Sequence, residues 1–198
     1  MRDFFSRLVQ VRLAGAGLVL IAIFVTAALF APIIAPYSPT KQQVTNALKA
    51  PSPEHILGTD GLGRDVYSRV LYGGRASLQV GFLSVAIALF VGVALGLVAG
   101  YWSNSPLETV IMRALDALLA FPALVLALAF VAALGPSLNN AIIAIGIVNI
   151  PAYARLTRGQ VLSAKERDYI EAARTVGASH LRIIVRHLLP NVSAPLIV

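Results

Sequence analysis

The chain has 198 residues, of which 58% are hydrophobic and 13% charged, against roughly 45–50% and about 25% in ordinary soluble domains. That balance excludes a soluble globule, and it excludes disorder, because a chain this rich in Leu, Ile, Val and Ala does not stay solvated in water. The formal charge of +7 points to anionic lipid rather than nucleic acid as its counterpart, and the absence of cysteine removes disulfides, thiolate nucleophiles and cysteine metal sites.

Positions 13–35, 76–107 and 117–154 carry no Asp, Glu, Lys or Arg, and apolar runs of about 18 or more residues read as membrane spans. Arg2, Arg7 and Arg12 precede the first run. That run exceeds the roughly 7–15 residues of a signal-peptide core. As a helix of about 34 Å it would cross a hydrocarbon layer of ~30 Å. Residues 1–35 are therefore expected to be a cytoplasmic N-terminus followed by a signal anchor.

Residues 36–75 are expected to form an extracytoplasmic loop, since Pro36, Pro39, Pro51 and Pro53 prevent long helices there. Over residues 64–71, Val66, Tyr67, Val70 and Leu71 share one face at helical spacing. This predicts a short helix lying on the membrane surface. The loop's basic residues run against the positive-inside rule, although Glu54, Asp60 and Asp65 offset part of them.

The core of the protein is expected over 76–198. A second span runs from about 76 to 102, with Tyr101 and Trp102 as interfacial anchors. Ser84, Ala88, Gly92, Gly96 and Gly100 recur every fourth residue, which predicts a line of small side chains against which another helix packs closely. The 117–154 run must be two spans because Gly135-Pro136-Ser137 interrupts it. The third would start near Thr109, with Arg113 and Asp116 as an anchoring pair at its inner end, and the fourth would reach about Thr157. Phe121-Pro122 and Asn149-Ile150-Pro151 predict kinks.

Four crossings put both the N-terminal arginines and the basic segment after Thr157 in the cytoplasm. Residues 192–198 restart an apolar pattern and read as a fifth span beginning where the chain is cut short. Within 163–190, Ser163 and Glu166 have capping-box spacing, and Tyr169, Ala172, Ala173 and Val176 form an apolar stripe that Gly177 ends. Ser179 can cap a second helix, on which Leu181, Ile184, Val185 and Leu188 repeat the spacing before Pro190 stops it. Two stripes this apolar need a surface to dock against.

Glu171-Ala172-Ala173, Gly177 and Leu189-Pro190 resemble the EAA loop of bacterial ATP-binding-cassette importer permeases. His187 stands where that pattern has an aliphatic residue. The strings Asp168-Tyr-Ile-Glu-Ala-Ala-Arg174 and Arg186-His-Leu-Leu-Pro-Asn191 are similar to the dipeptide, oligopeptide and nickel branch. His55-Ile-Leu-Gly58-Thr-Asp-Gly-Leu-Gly63-Arg-Asp65 resembles the N-terminal region of that branch's C-type subunit.

The resemblance implies an all-α integral membrane protein with the type I importer transmembrane fold, resident in a bacterial inner membrane, with residues 76–198 as its permease core. It implies a coupling loop at 163–190 in which Glu171, Ala172, Ala173, Gly177, Leu189 and Pro190 engage a cytoplasmic ATPase. The implied partners are paired ATPase subunits that bind the ATP, a second homologous permease and an extracytoplasmic binding protein. This chain would carry no cofactor, and its cargo would be di- or oligopeptides.

The same residues argue against other chemistry. Gly58 to Asp65 has the outline of a phosphate loop, but lacks the Lys and Ser or Thr that loop needs. Asp60 and Asp65 lack the alternating ligands of a calcium loop. His180 and His187 are about 10.5 Å apart along a helix, too far to share a metal. The rival readings are a secondary transporter or channel, which calls for ionisable groups at mid-membrane, and a membrane scaffold, which does not require the EAA string.

Overall fold

The computed structural model describes residues 12–193. The signal-anchor arginines at 2 and 7 and the apolar restart after Ser193 lie outside the described residues. All regular elements among those described are helical, apart from one antiparallel bridge between Thr59 and Asp65. The chain divides into two compact units, Met1–Gln79 and Val80–Val198.

In the first unit, α1 (Arg12–Leu29) is followed by a single turn, α2 (Ala31–Ile34), with Pro32 near its start, where a missing N–H costs nothing. The loop after it is folded rather than extended. Gly58 and Gly63 both take left-handed backbone, with φ of +71° and +68°. A Cβ at Gly63 would stand 1.8 Å from the Gln43 carbonyl oxygen, and one at Gly58 would stand 2.5 Å from that of Lys49. Thr59 Oγ1 accepts from the Lys49 amide at 2.9 Å and donates to the Asn46 carbonyl.

Asp60 Oδ1 accepts from the Leu62 and Arg64 amides at 2.9 Å, while Oδ2 takes the guanidiniums of Arg64 and Arg69. Desolvation pushes the Asp60 carboxyl up, but these donors outweigh it and hold the group well below its ordinary value. Asp65 caps the next helix by accepting from the Ser68 amide at 2.7 Å, and its other oxygen meets His55 Nδ1 at 3.0 Å. The glycine-rich string is thus a loop clamp and helix start.

Gly63→Ala combines a left-handed backbone penalty of about 1–2 kcal/mol with a clash against backbone. It is expected to lower the thermal midpoint of the solubilised protein markedly. Gly61→Ala, which meets nothing within 4 Å, is expected to leave that midpoint nearly unchanged.

The helix α3 (Val66–Tyr101) has 36 residues. The surface helix expected over 64–71 and the span expected from 76 are therefore one unbroken helix. Once Asp65 satisfies its first turn, nothing in 66–76 stops propagation, because Gly73 and Gly74 lower helix propensity without breaking hydrogen bonds.

In the second unit, Ser105 caps α4 (Pro106–Leu119), accepting from the Glu108 amide at 3.2 Å. The chain then bends by 92° into α5 (Ala123–Leu134). The single third span expected across this region is broken at Phe121-Pro122, where Pro122 lacks an amide proton and takes extended backbone (ψ 128°). Ser137 caps α6 (Leu138–Lys165), and Asn140 Nδ2 ties the carbonyls of Leu134 and Gly135 across the turn. α6 continues through Pro151 without interruption.

By length and composition α3 and α6 can each cross a membrane, and the bent α4–α5 pair would make a third span if taken as one; the apolar helix over Ala14–Leu29 is shorter.

The glycine line on α3 is where α6 packs. A Cβ at Gly92 would lie 2.7 Å from Tyr153 Cβ, one at Gly96 would lie 2.5 Å from the Ala154 carbonyl oxygen, and one at Gly100 would lie 2.7 Å from Val161 Cβ. Gly146 on α6 returns the arrangement, its Cβ position 2.9 Å from Ile87. Ser84 and Ala88 are buried on the same line. Small residues on both helices bring the backbones together, which is the main source of helix association where lipid removes the hydrophobic driving force.

Candidate functional site

The segment after α6 holds the six expected coupling residues, Glu171, Ala172, Ala173, Gly177, Leu189 and Pro190. Its first helix does not start at Ser163. α6 continues to Lys165, with Thr157, Val161 and Ala164 buried, and Lys165 Nζ donates to the Tyr101 carbonyl at 3.0 Å and to Ser103 Oγ at 2.7 Å. This tertiary anchoring overrides the capping-box spacing. The next helix is α7 (Asp168–Thr175), whose Arg167 N-cap makes no side-chain bond.

α7 ends in a complete Schellman motif. The Ala178 amide donates to Ala173 O at 3.0 Å and the Gly177 amide to Arg174 O at 2.9 Å, with Gly177 at φ +79°. A Cβ at Gly177 would meet nothing within 4 Å, so glycine is required here by backbone conformation alone. Ser179 then accepts from the Arg182 amide and opens α8, composed of an α turn (His180–Arg182), a π segment (Ile183–Leu188) and a last turn (Leu189–Val192).

Pro190 does not stop α8. The Leu189 amide reaches back to Ile184 O, five residues away, and this wider turn carries the chain into Pro190, which has no amide proton to donate.

The faces differ from the expected stripes. Ile170 and Ala173 of α7 and Ile183, Ile184, Leu188 and Val192 of α8 join Leu97, Tyr101, Val161 and Ala164 in one core, with Tyr169 and Leu189 packed partly against it. Ala172 is exposed, Val176 is 82% exposed, and Leu181 and Val185 also face outward. Of the expected docking residues, Glu171, Ala172, Gly177 and Pro190 are exposed, whereas Ala173 is buried within the chain and Leu189 half-buried. The small size of Ala173 lets α7 sit close to its own core.

Tyr101, expected as a membrane anchor, is also buried. Its hydroxyl meets His180 Nδ1 at 2.7 Å, and its ring lies 6.0 Å beneath the Arg174 guanidinium. α7 and α8 are thereby fastened to the end of α3 on one side and to α6 on the other.

Sequence reasoning missed two ion pairs that join α4 to α6. Arg158 Nε donates to Glu108 Oε1 at 2.6 Å, and Arg155 pairs with Asp116. Asp116 thus faces α6 and makes no ion pair with Arg113 among the described residues. The only sequence signal was helical spacing, since Glu108 and Asp116 lie about two turns apart, but nothing local names a partner on another helix.

Residues 92–198 match the family described as the inner membrane component of binding-protein-dependent transport systems, and residues 1–51 match the N-terminal transmembrane domain of oligopeptide transport permease C. The chain belongs to this family. As a member it is an all-α, multi-pass inner-membrane protein of the type I importer fold.

The chain is 47% identical over its full length to the dipeptide transport system permease of Alkalihalophilus pseudofirmus, covering 64% of that protein. It is 46% identical to the di/tripeptide transport system permease of Pseudomonas aeruginosa, covering 67% of it. It is 39% identical to the glutathione transport system permease of Pectobacterium atrosepticum, covering 65%. The chain therefore spans about two thirds of the length of its curated relatives.

Proposed function

We propose that this chain is a permease subunit of an ATP-driven, binding-protein-dependent importer of short peptides, and that α7 is the helix through which a cytoplasmic ATPase moves it. The supporting observation is the construction of α7. One face is locked into the core through Ile170 and Ala173, and the other leaves Glu171, Ala172 and Val176 in the open. A lever must be rigid toward what it moves and bare toward what drives it.

The core under α7 includes Leu97 and Tyr101 of α3 and Val161 and Ala164 of α6. A push on α7 is therefore carried to the two long helices. ATP binds and is hydrolysed in the partner subunits, and this chain contributes motion rather than covalent chemistry. The N-terminus and the α7–α8 segment lie in the cytoplasm, as the basic residues flanking them require. The folded loop before α3 lies outside, where a binding protein delivers substrate beside a second permease. Short peptides are favoured as cargo because the most similar relatives are named for dipeptides and tripeptides.

The test is a Val176→Cys variant assembled in the complete transporter. It is expected to crosslink to the ATPase subunit, and peptide with binding protein is expected to raise ATP hydrolysis in proteoliposomes. Crosslinking to lipid alone, with hydrolysis indifferent to peptide, would overturn the proposal.

A further inference from the structure

Beside α7 lies a cleft of about 440 Å³. Tyr169, Ala172 and Val176 line it from α7, and Arg182, Arg186 and His187 line it from α8. Its charge is unbalanced. Among the described residues the ion pairs use Asp60, Asp65, Glu108 and Asp116, and none involves Arg182 or Arg186. The nearby acids Glu166 and Glu171 line a separate cleft with Lys165, Arg167 and Arg174.

Arg182 and Arg186 are four residues apart, a spacing that sets both on one side of α8.

We infer that this cleft receives a carboxylate-bearing side chain of the ATPase subunit, clasped by Arg182 and Arg186. Guanidinium forks match carboxylates in a bidentate way, and the methylene stem of a Glu would lie over Ala172 and the exposed Val176. The inference rests on the docking reading above and adds the chemistry of the contact. It puts the ATPase's acid on the α8 side of the coupling helix, leaving Glu171 and its neighbouring cations for a different contact on the far side.

The experiment uses the complete transporter. The double variant Arg182→Glu, Arg186→Glu is expected to lower ATPase retention during purification by about tenfold or more, as the loss of a desolvated charge contact does. Arg186→Lys supplies an amine, and a carbodiimide is expected to join it to an Asp or Glu of the ATPase, identified by peptide mass.

If the double variant keeps its ATPase and the Val176→Cys crosslink persists, the cleft inference fails and the docking reading stands. The cleft inference fails likewise if the double variant instead loses affinity for vesicles of anionic lipid while the ATPase stays bound. If Val176→Cys in the otherwise unaltered chain never reaches the ATPase, both fall.

Discussion

Gly96→Leu is expected to destroy the permease core, with a stability loss at or above the upper end of the roughly 1–3 kcal/mol usual for overpacking. A Cβ at this position already lies 2.5 Å from the Ala154 carbonyl oxygen and 2.6 Å from Thr157 Cβ. Backbone cannot rotate away as a flexible side chain can. Moving α3 outward to admit the leucine would open gaps at Gly92 and Gly100, where the same helices touch as closely. A Cβ at Gly81 on the same helix would meet nothing within 4 Å, and Gly81→Leu is expected to be tolerated. Thermal aggregation of the two variants in detergent separates the outcomes. Equal midpoints would show that α3 and α6 do not pack through the glycine line.

On the proposed coupling role of α7, replacing Gly177 is expected to uncouple transport in a graded order. At φ +79°, a left-handed conformation costs an L-residue about 1–2 kcal/mol, which corresponds to roughly a tenfold shift in the fraction of chains with α7 correctly ended. Asn tolerates the conformation best, Ala less, and a β-branched Val least. Peptide-stimulated ATP hydrolysis in the reconstituted transporter is therefore expected to fall in the order Gly, Asn, Ala, Val. Since no atom lies within 4 Å of the missing Cβ, side-chain bulk does not explain such a ranking. A series that instead followed volume would place the partner, rather than the backbone, at this point.

Two identical local patterns show where sequence reasoning stops. Ser105 and Glu108 have the same spacing as Ser163 and Glu166. The first pair starts a helix: Ser105 accepts from the Glu108 amide, and Pro106 follows directly. The second pair starts none, since Ser163 lies inside α6. Lys165 bound to Tyr101 O and Ser103, and Val161 buried against α3, hold that helix together past the signal. The capping motif is worth about 1 kcal/mol, less than the packing it competes with.

The importer-permease type was legible in the sequence only as a resemblance, carried by Glu171-Ala172-Ala173, Gly177 and Leu189-Pro190. By itself the sequence further determined that this is a helical membrane protein, that α3 carries a line of small residues for a close neighbour, and that α7 ends at Gly177. Each follows from a local physical rule: a chain-long excess of apolar residues, a four-residue period, and a left-handed backbone position that glycine fills at least cost. Only the tertiary structure decided which side of α7 faces inward, that Pro190 sits inside a helix, that Phe121-Pro122 turns the chain by 92°, and that Glu108 and Asp116 find Arg158 and Arg155. A short helix with apolar residues at 169, 170, 172, 173 and 176 has two overlapping stripes of similar hydrophobicity. The choice between them is made by shape and by partners distant in sequence, neither of which a period can express.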